Sequence, residues 1–340
     1  MKRVVLIALL APIFWAPVAF ADDSIGIFET IHQSSVSFSA TNSALEQAIA
    51  DSGLRLHASH VVRVPDDLHQ GKIYVLTEPD YIVAAASESP RTISAQILRI
   101  DVFTSGDEQK TYINMANPVA HAMVYYADSR NYDALVAAAG EAANAIRQIV
   151  AKVPGQSVSR QSAPVRTEKH YRKYKGDGPA RMMAKFRTWE KSQLAIEMNK
   201  ADTVVALADH VEENLKAGTV AGADEADGWE VVARIQLRDD AVYFGLTNPF
   251  IEDKMVRINS RFRSNSKTEK APYPGVDHIA ALPTDLLVVD DGYENLVLHY
   301  GQMWRMQLYF WDSGYRAFTA NVGVPSEIFN SIEEAVQAGQ

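Results

Sequence analysis

The chain repeats itself, and the repeat constrains its fold more than any other property of its 340 residues. Leu76-Thr77-Glu78-Pro79 returns as Leu246-Thr247-Asn248-Pro249. An apolar run enters each turn, Ile73-Tyr74-Val75 in the first copy and Val242-Tyr243-Phe244-Gly245 in the second. Proline suits the first position of a helix, where its missing N–H has no partner to lose, so each turn predicts a strand followed by a short helix. The matching elements continue outwards. A strand spans Leu54 to Val64 in one half and Trp229 to Leu237 in the other, each after an amphipathic helix with apolar residues at helical spacing (Leu45, Ala48 and Ile49; Val204, Leu207, Ala208, Val211 and Leu215). Each half then closes on a strand pair around an acidic turn, Thr104-Ser105-Gly106-Asp107 and Asp290-Asp291-Gly292, where glycine accepts positive φ at no steric cost. Helices over Asn131 to Val150 and Ser326 to Ala338 end the two units.

These elements predict an α+β protein of two similar two-layer α/β-sandwich domains. The expected boundaries are a leading segment 1–21, a first repeat 22–153, a linker 154–192 and a second repeat 193–340 with a loop insertion at 260–276. The linker is expected from composition, being rich in Ser, Gln, Lys and Arg and poor in core-forming residues.

The leading segment has the layout of a cleavable secretory signal: Lys2 and Arg3, an apolar run from Val4 to Phe20, and Ala19-Phe20-Ala21 before Asp22. It predicts a periplasmic protein whose mature chain starts at about Asp22. No later stretch is apolar enough to span a bilayer, so the mature chain is expected to be soluble. There are no cysteines, which removes thiol nucleophiles, disulfides and thiolate metal centres. Net charge is −9, or −11 without the two cations of the leading segment, yet residues 160–191 carry ten Lys/Arg against three Asp/Glu. The acidic remainder would repel phosphates, so nucleic acid is not an expected partner. The basic stretch, with Tyr171 and Tyr174 among its cations, has the composition to dock an acidic partner or an anionic surface; the alternative is a solubilising linker.

With its proline turn in mid-domain and a hairpin after it, this element order resembles the bacterial family called domain of unknown function 302. The matching residues are the two Leu-Thr-X-Pro turns, the apolar-Pro step Ala281-Leu282-Pro283-Thr284 and the closing step Asn117-Pro118. The resemblance covers about residues 34–150 and 193–310 and implies tandem copies of a compact α+β domain. It departs from the family where a cysteine would stand at the turn, in lacking a Leu-Pro step in the first half, and in ending the second half on Gly301-Gln302-Met303. It implies a fold and no reaction.

Catalytic and cofactor motifs are absent: there is no Gly-rich phosphate loop, Gly-x-Ser-x-Gly, His-Glu-x-x-His or EF-hand spacing. Met115, His121 and Met123 in one half and His299, Met303 and Met306 in the other form thioether–imidazole groups suited to Cu(I); packing is the competing use of such methionines. Asp66-Asp67, Asp239-Asp240 and Asp290-Asp291 read as turn residues, and His57, His60 and His69 as solvated surface histidines. Read as a strand, Tyr300 to Trp311 puts Arg305, Tyr309 and Trp311 on a face with the composition of a recognition surface; with Asn117 and Asn248 these are the candidate ligand residues. The expected function is a soluble periplasmic binding or accessory protein, non-catalytic, taking a small molecule or a protein partner where the halves meet. The alternatives are a periplasmic hydrolase or metal-assisted enzyme with its site near the repeated prolines, and a copper-handling protein. A catalyst would show a pocket with convergent titratable groups of shifted pKa, and a binding module an apolar or aromatic cleft without them.

Overall fold

A computed structural model describes residues 24–64, 69–105, 110–177, 188–218, 228–262, 276–311 and 319–338. The leading segment, Asp66-Asp67, the Gly106-Asp107 end of the first acidic turn and most of the 260–276 insertion lie outside the described residues. The protein is α+β, with two separate antiparallel sheets.

The first half runs β1 (Ser24–Ser34), α1 (Phe38–Ala50), β2 (Arg55–Val62), β3 (Gly71–Thr77), α2 (Pro79–Ala84), a 3-10 helix (Pro90–Gln96), β4 (Leu98–Ser105), β5 (Lys110–Ala116), α3 (Pro118–Tyr125) and α4 (Tyr132–Val150). After β6 (Gly155–Thr167), α5 (Glu168–Arg172) and α6 (Trp189–Ser192) come β7 (Gln193–Ile196), α7 (Val204–Gly218), β8 (Glu230–Arg238), β9 (Ala241–Thr247), α8 (Pro249–Phe262), a second 3-10 helix (Val276–Ala281), β10 (Thr284–Asp290), β11 (Asn295–Tyr300), α9 (Gln302–Phe310) and α10 (Val324–Gln337). The sheet orders are β2-β3-β4-β5-β1-β6 and β7-β11-β10-β9-β8. Apart from β6, the second sheet reproduces the strand order of the first.

Both repeated turns are built as their residues dictate. Glu78 Oε2 accepts from Tyr81 N–H at 2.5 Å and Asn248 Oδ1 from Ile251 N–H at 2.8 Å, so each caps the helix that its proline opens. Asn117 does the same for α3, accepting from Val119 N–H at 3.0 Å.

The 3-10 helix of each half lies on the other half's sheet: Pro90–Gln96 against β9 and β10, and Val276–Ala281 against β3, β4 and β5. The approach is close enough that a Cβ on Gly71 would stand 2.6 Å from Ile279 Cδ1. One continuous apolar core therefore runs through both halves, from Ile27 and Phe28 to Leu298 and Tyr300.

Two readings of the sequence are corrected. Residues 155–167, expected in a linker, form β6, which pairs antiparallel with β1 from Ser34↔Gly155 to Ser24↔Thr167. Its polar composition suits a sheet-edge strand, most of whose side chains meet solvent. Residues 302–310, read as strand, form α9. Trp304 with Leu308 and Arg305 with Tyr309 are spaced at i, i+4 and buried, and that helical period overrides the apparent alternation.

Candidate functional site

Strand pairing shows which residues are equivalent in the two halves. Leu76 pairs with Leu98 and Leu246 with Thr284, so Arg99 and Asp285, one residue on, hold the same position in two hairpins. His121 and Arg305 are each the fourth residue of their helix, and Tyr125 and Tyr309 the eighth. These three equivalent pairs meet where the halves join.

Arg99 Nη2 lies 3.7 Å from Asp285 Oδ1, and Arg305 Nη1 lies 3.5 Å from Asp285 Oδ2. Tyr243 donates its hydroxyl to Asp285 Oδ1 at 2.9 Å. The Ala281 carbonyl accepts from Arg99 at 3.3 Å and from Arg305 at 2.7 Å. His121 Nε2 lies 2.9 Å from the Tyr309 hydroxyl, in contact across the halves. Burial, with Arg99 and Arg305 nearby, pushes the His121 imidazole well below its ordinary value. Burial likewise raises the Tyr309 hydroxyl. This centre is closed to solvent: Arg99 is 0% and Asp285 1% exposed.

Two openings lie outside it. A groove of about 790 Å³ is lined by the adjoining β2 and β8, the equivalent outer strands of the two sheets. Its lining includes His60, Arg63, Glu230, Asn248, Pro249 and Glu252. His60 Nε2 is 2.7 Å from Glu252 Oε1, and His60 Nδ1 is 3.7 Å from Glu230. Glu252 also accepts from Arg63 N–H at 2.7 Å and Thr247 O–H at 2.8 Å. Burial pulls His60 down, but the bond to Glu252 and the charges of Glu252 and Glu230 outweigh it and leave the imidazole above its ordinary value. Burial pushes Glu252 up, and its three donors more than reverse that, holding it below the usual carboxylate value. The second opening is an apolar cleft of about 50 Å³ among α8, α9 and α10, with Arg305 and Thr284 in its lining.

The candidate residues disperse over these places. Arg305 and Tyr309 belong to the central cluster, with Arg305 also lining the cleft, and Asn248 lines the groove. Asn117 is a buried helix cap. Trp311 packs with Met303 and Met306 in a small partly buried patch. Met115 and Met123 are core residues. His299 stacks on Phe329 with ring centroids 4.4 Å apart and is pushed down to about 4, chiefly by burial. Among the described residues, no group of three or more His, Asp or Glu side chains is arranged to hold a metal ion. Asp290 and Asp291 accept backbone N–H groups of their own turn. His60, read as a solvated histidine, is instead half-buried and bonded across the halves.

Within the basic stretch, Arg166 is buried. It binds Asp177 through two bonds of 3.1 and 2.7 Å and donates to the carbonyls of Leu308 and Gln307 at the end of α9. Lys169, Arg172, Lys173 and Lys175 remain exposed.

Neither the His60–Glu252 pair nor the Arg99–Asp285 pair was foreseen, since the partners lie 192 and 186 positions apart. A signal for the second existed: charges set inside otherwise buried strands, Arg99 and Asp101 in Leu98-Arg99-Ile100-Asp101-Val102 and Asp285 before Leu286-Leu287-Val288.

No protein-family model matches the chain, and no curated protein does. It is similar to a solved structure described as an uncharacterized conserved protein, domain of unknown function 302, from Bacillus stearothermophilus. The two are 13% identical, with 36% of this chain and 96% of that one covered and a TM-score of 0.30. No helix among the described residues is long and apolar enough to cross a membrane.

Proposed function

We propose that this is a secreted, periplasmic binding protein built from two diverged copies of a domain like that of the family domain of unknown function 302, and that it takes a small zwitterion, peptide-like in chemistry, in the groove between β2 and β8. One observation carries the reading: the groove has the volume of a ligand site and is walled by the unpaired edges of two sheets. Backbone groups on such edges recognise peptide-like backbones. The lining charges balance, with His60, Arg63 and Lys216 against Glu212, Glu230 and Glu252, which suits a ligand bearing both signs.

Thermal denaturation with a panel of amino acids and di- and tripeptides tests this. A ligand at about 100 times its Kd should add about 2.7 kcal/mol of stability. Glu230→Gln should abolish the effect without weakening the fold, because the Glu230 side chain is 63% exposed. Absence of any response across the panel, or a response unchanged in Glu230→Gln, contradicts the proposal.

The oppositely shifted His60 and Glu252 favour a second reading, a hydrolase using His60 as general base. The bonds that Glu252 makes to both halves argue for a lock instead. Hydrolysis of a peptide or ester panel, lost in His60→Gln, would reverse that preference. Copper binding through His121, Met123, His299 and Met303 is a weaker reading, since His121 would have to give up Tyr309.

A further inference from the structure

The buried centre sets two guanidiniums against one carboxylate. Arg99 and Arg305 share the single carboxylate of Asp285, at 3.7 and 3.5 Å, distances of ion pairs rather than hydrogen bonds. Asp101, the next carboxyl along β4, accepts from Ala280 N–H at 3.0 Å, and burial pushes it well above its ordinary value, towards the neutral acid. Buried guanidiniums are stable only when their donors are matched, and here Arg99 Nε and Nη2 and Arg305 Nη1 have no hydrogen-bond partner among the described residues.

The apolar cleft reaches this centre through Arg305. Its walls are Ile251, Met255, Met306, Phe310, Val324 and Ile328. Its polar lining includes two nearly fully buried residues, Arg305 at 5% and Thr284 at 0% exposure. Each carries a buried atom without a hydrogen-bond partner among the described residues, Arg305 Nη1 and Thr284 Oγ1. A guanidinium N–H and a hydroxyl together match the two oxygens of a carboxylate. The volume limits the rest of the ligand. One water-sized group needs roughly 10–15 Å³ by this measure. The cleft, at about 50 Å³, therefore has room for a small group, which suits a short tail.

We propose that the cleft among α8, α9 and α10 is a second binding site, distinct from the β2/β8 groove, that takes a short aliphatic carboxylate with its oxygens on Arg305 and Thr284 and its tail against Met255, Met306 and Ile328. The anion supplies acceptors for the two unpaired buried donors, and the apolar walls select a short hydrocarbon tail.

The test is calorimetric titration of the full mature chain with butyrate, butyramide, n-butylamine and octanoate. Butyrate should bind, and the amide and amine should bind at least tenfold more weakly, because neither offers two anionic oxygens. Octanoate should also bind more weakly, because its tail exceeds the space. Thr284→Val, nearly the same shape without the hydroxyl, should weaken butyrate about tenfold, and Arg305→Gln should abolish its binding. Glu230→Gln, in the groove, should leave it unchanged. Equal binding of butyrate and butyramide by the wild-type chain would overturn the proposal whether or not the variants fold, as would butyrate affinity unaltered in Thr284→Val or lost in Glu230→Gln.

Discussion

Replacing Asp285 by Asn removes one buried charge and leaves two unanswered. The carboxylate is 1% exposed, lies within 4 Å of two guanidiniums and accepts the Tyr243 hydroxyl at 2.9 Å. Asn keeps the shape and can still accept from Tyr243, so packing is nearly preserved and the loss is electrostatic. Breaking a buried ion pair by neutralising one member costs about 3–5 kcal/mol, because the remaining charge stays out of water. At about 2–4 °C per kcal/mol for a chain of this class, the melting temperature should fall by about 10 °C. Urea denaturation read by tryptophan fluorescence should show a matching fall in midpoint at unchanged slope. Adding Arg99→Met to Asp285→Asn should cost less than the two single effects combined, with a coupling of about 1–3 kcal/mol. A loss below about 1 kcal/mol in Asp285→Asn, or strict additivity with Arg99→Met, would refute the view that these equivalent positions form a charged joint between the halves.

Two further outcomes follow from the same geometry. Arg166→Met should destabilise by about 3–5 kcal/mol in urea denaturation, because it removes the guanidinium facing the buried Asp177 carboxylate, which keeps the Tyr174 hydroxyl and His170, and takes a donor from the Gln307 and Leu308 carbonyls. The His60–Glu252 pair should act over a defined pH window. The raised His60 value means that its contribution is complete below the unfolded value of about 6.5 and is lost as pH rises through the folded one. The lowered Glu252 value means that its contribution is present above about 4.5 and is lost as pH falls through the folded one. His60→Gln should therefore cost most stability between about pH 4.5 and 6.5 and little near pH 9, and a cost independent of pH would contradict the pairing.

Much of the architecture was legible in local chemistry. Leu-Thr-X-Pro marks a strand that ends on a capped helix in both halves, because Glu78 and Asn248 can each cap and proline fits the next position. The acidic turn Asp290-Asp291-Gly292 was legible for the same reason, being made by side chains and backbone of neighbouring residues. Elements fixed by distant partners were not. β6 is polar and is a strand because β1 offers an edge more than a hundred residues away. Residues 302–310 carry apolar side chains that fit both alternation and helical spacing, and burial of Trp304, Arg305, Leu308 and Tyr309 decides between them. The site was the least legible part. Only the folded halves bring His60 to Glu252 and Arg99 to Asp285, whereas the methionine–histidine groups that were conspicuous in sequence are divided among core, stacking and surface-patch roles.

Hydrogen–deuterium exchange across the β2/β8 groove would locate the bound ligand, comparing the mature chain alone with the chain saturated by the best-stabilising amino acid or peptide of the panel. Slowed exchange is expected in residues 58–64 and 228–233, the facing edges of the two sheets, with little change over the outer face of α4. Protection absent from both edges, or confined to one half of the molecule, would contradict a ligand site shared between the two halves.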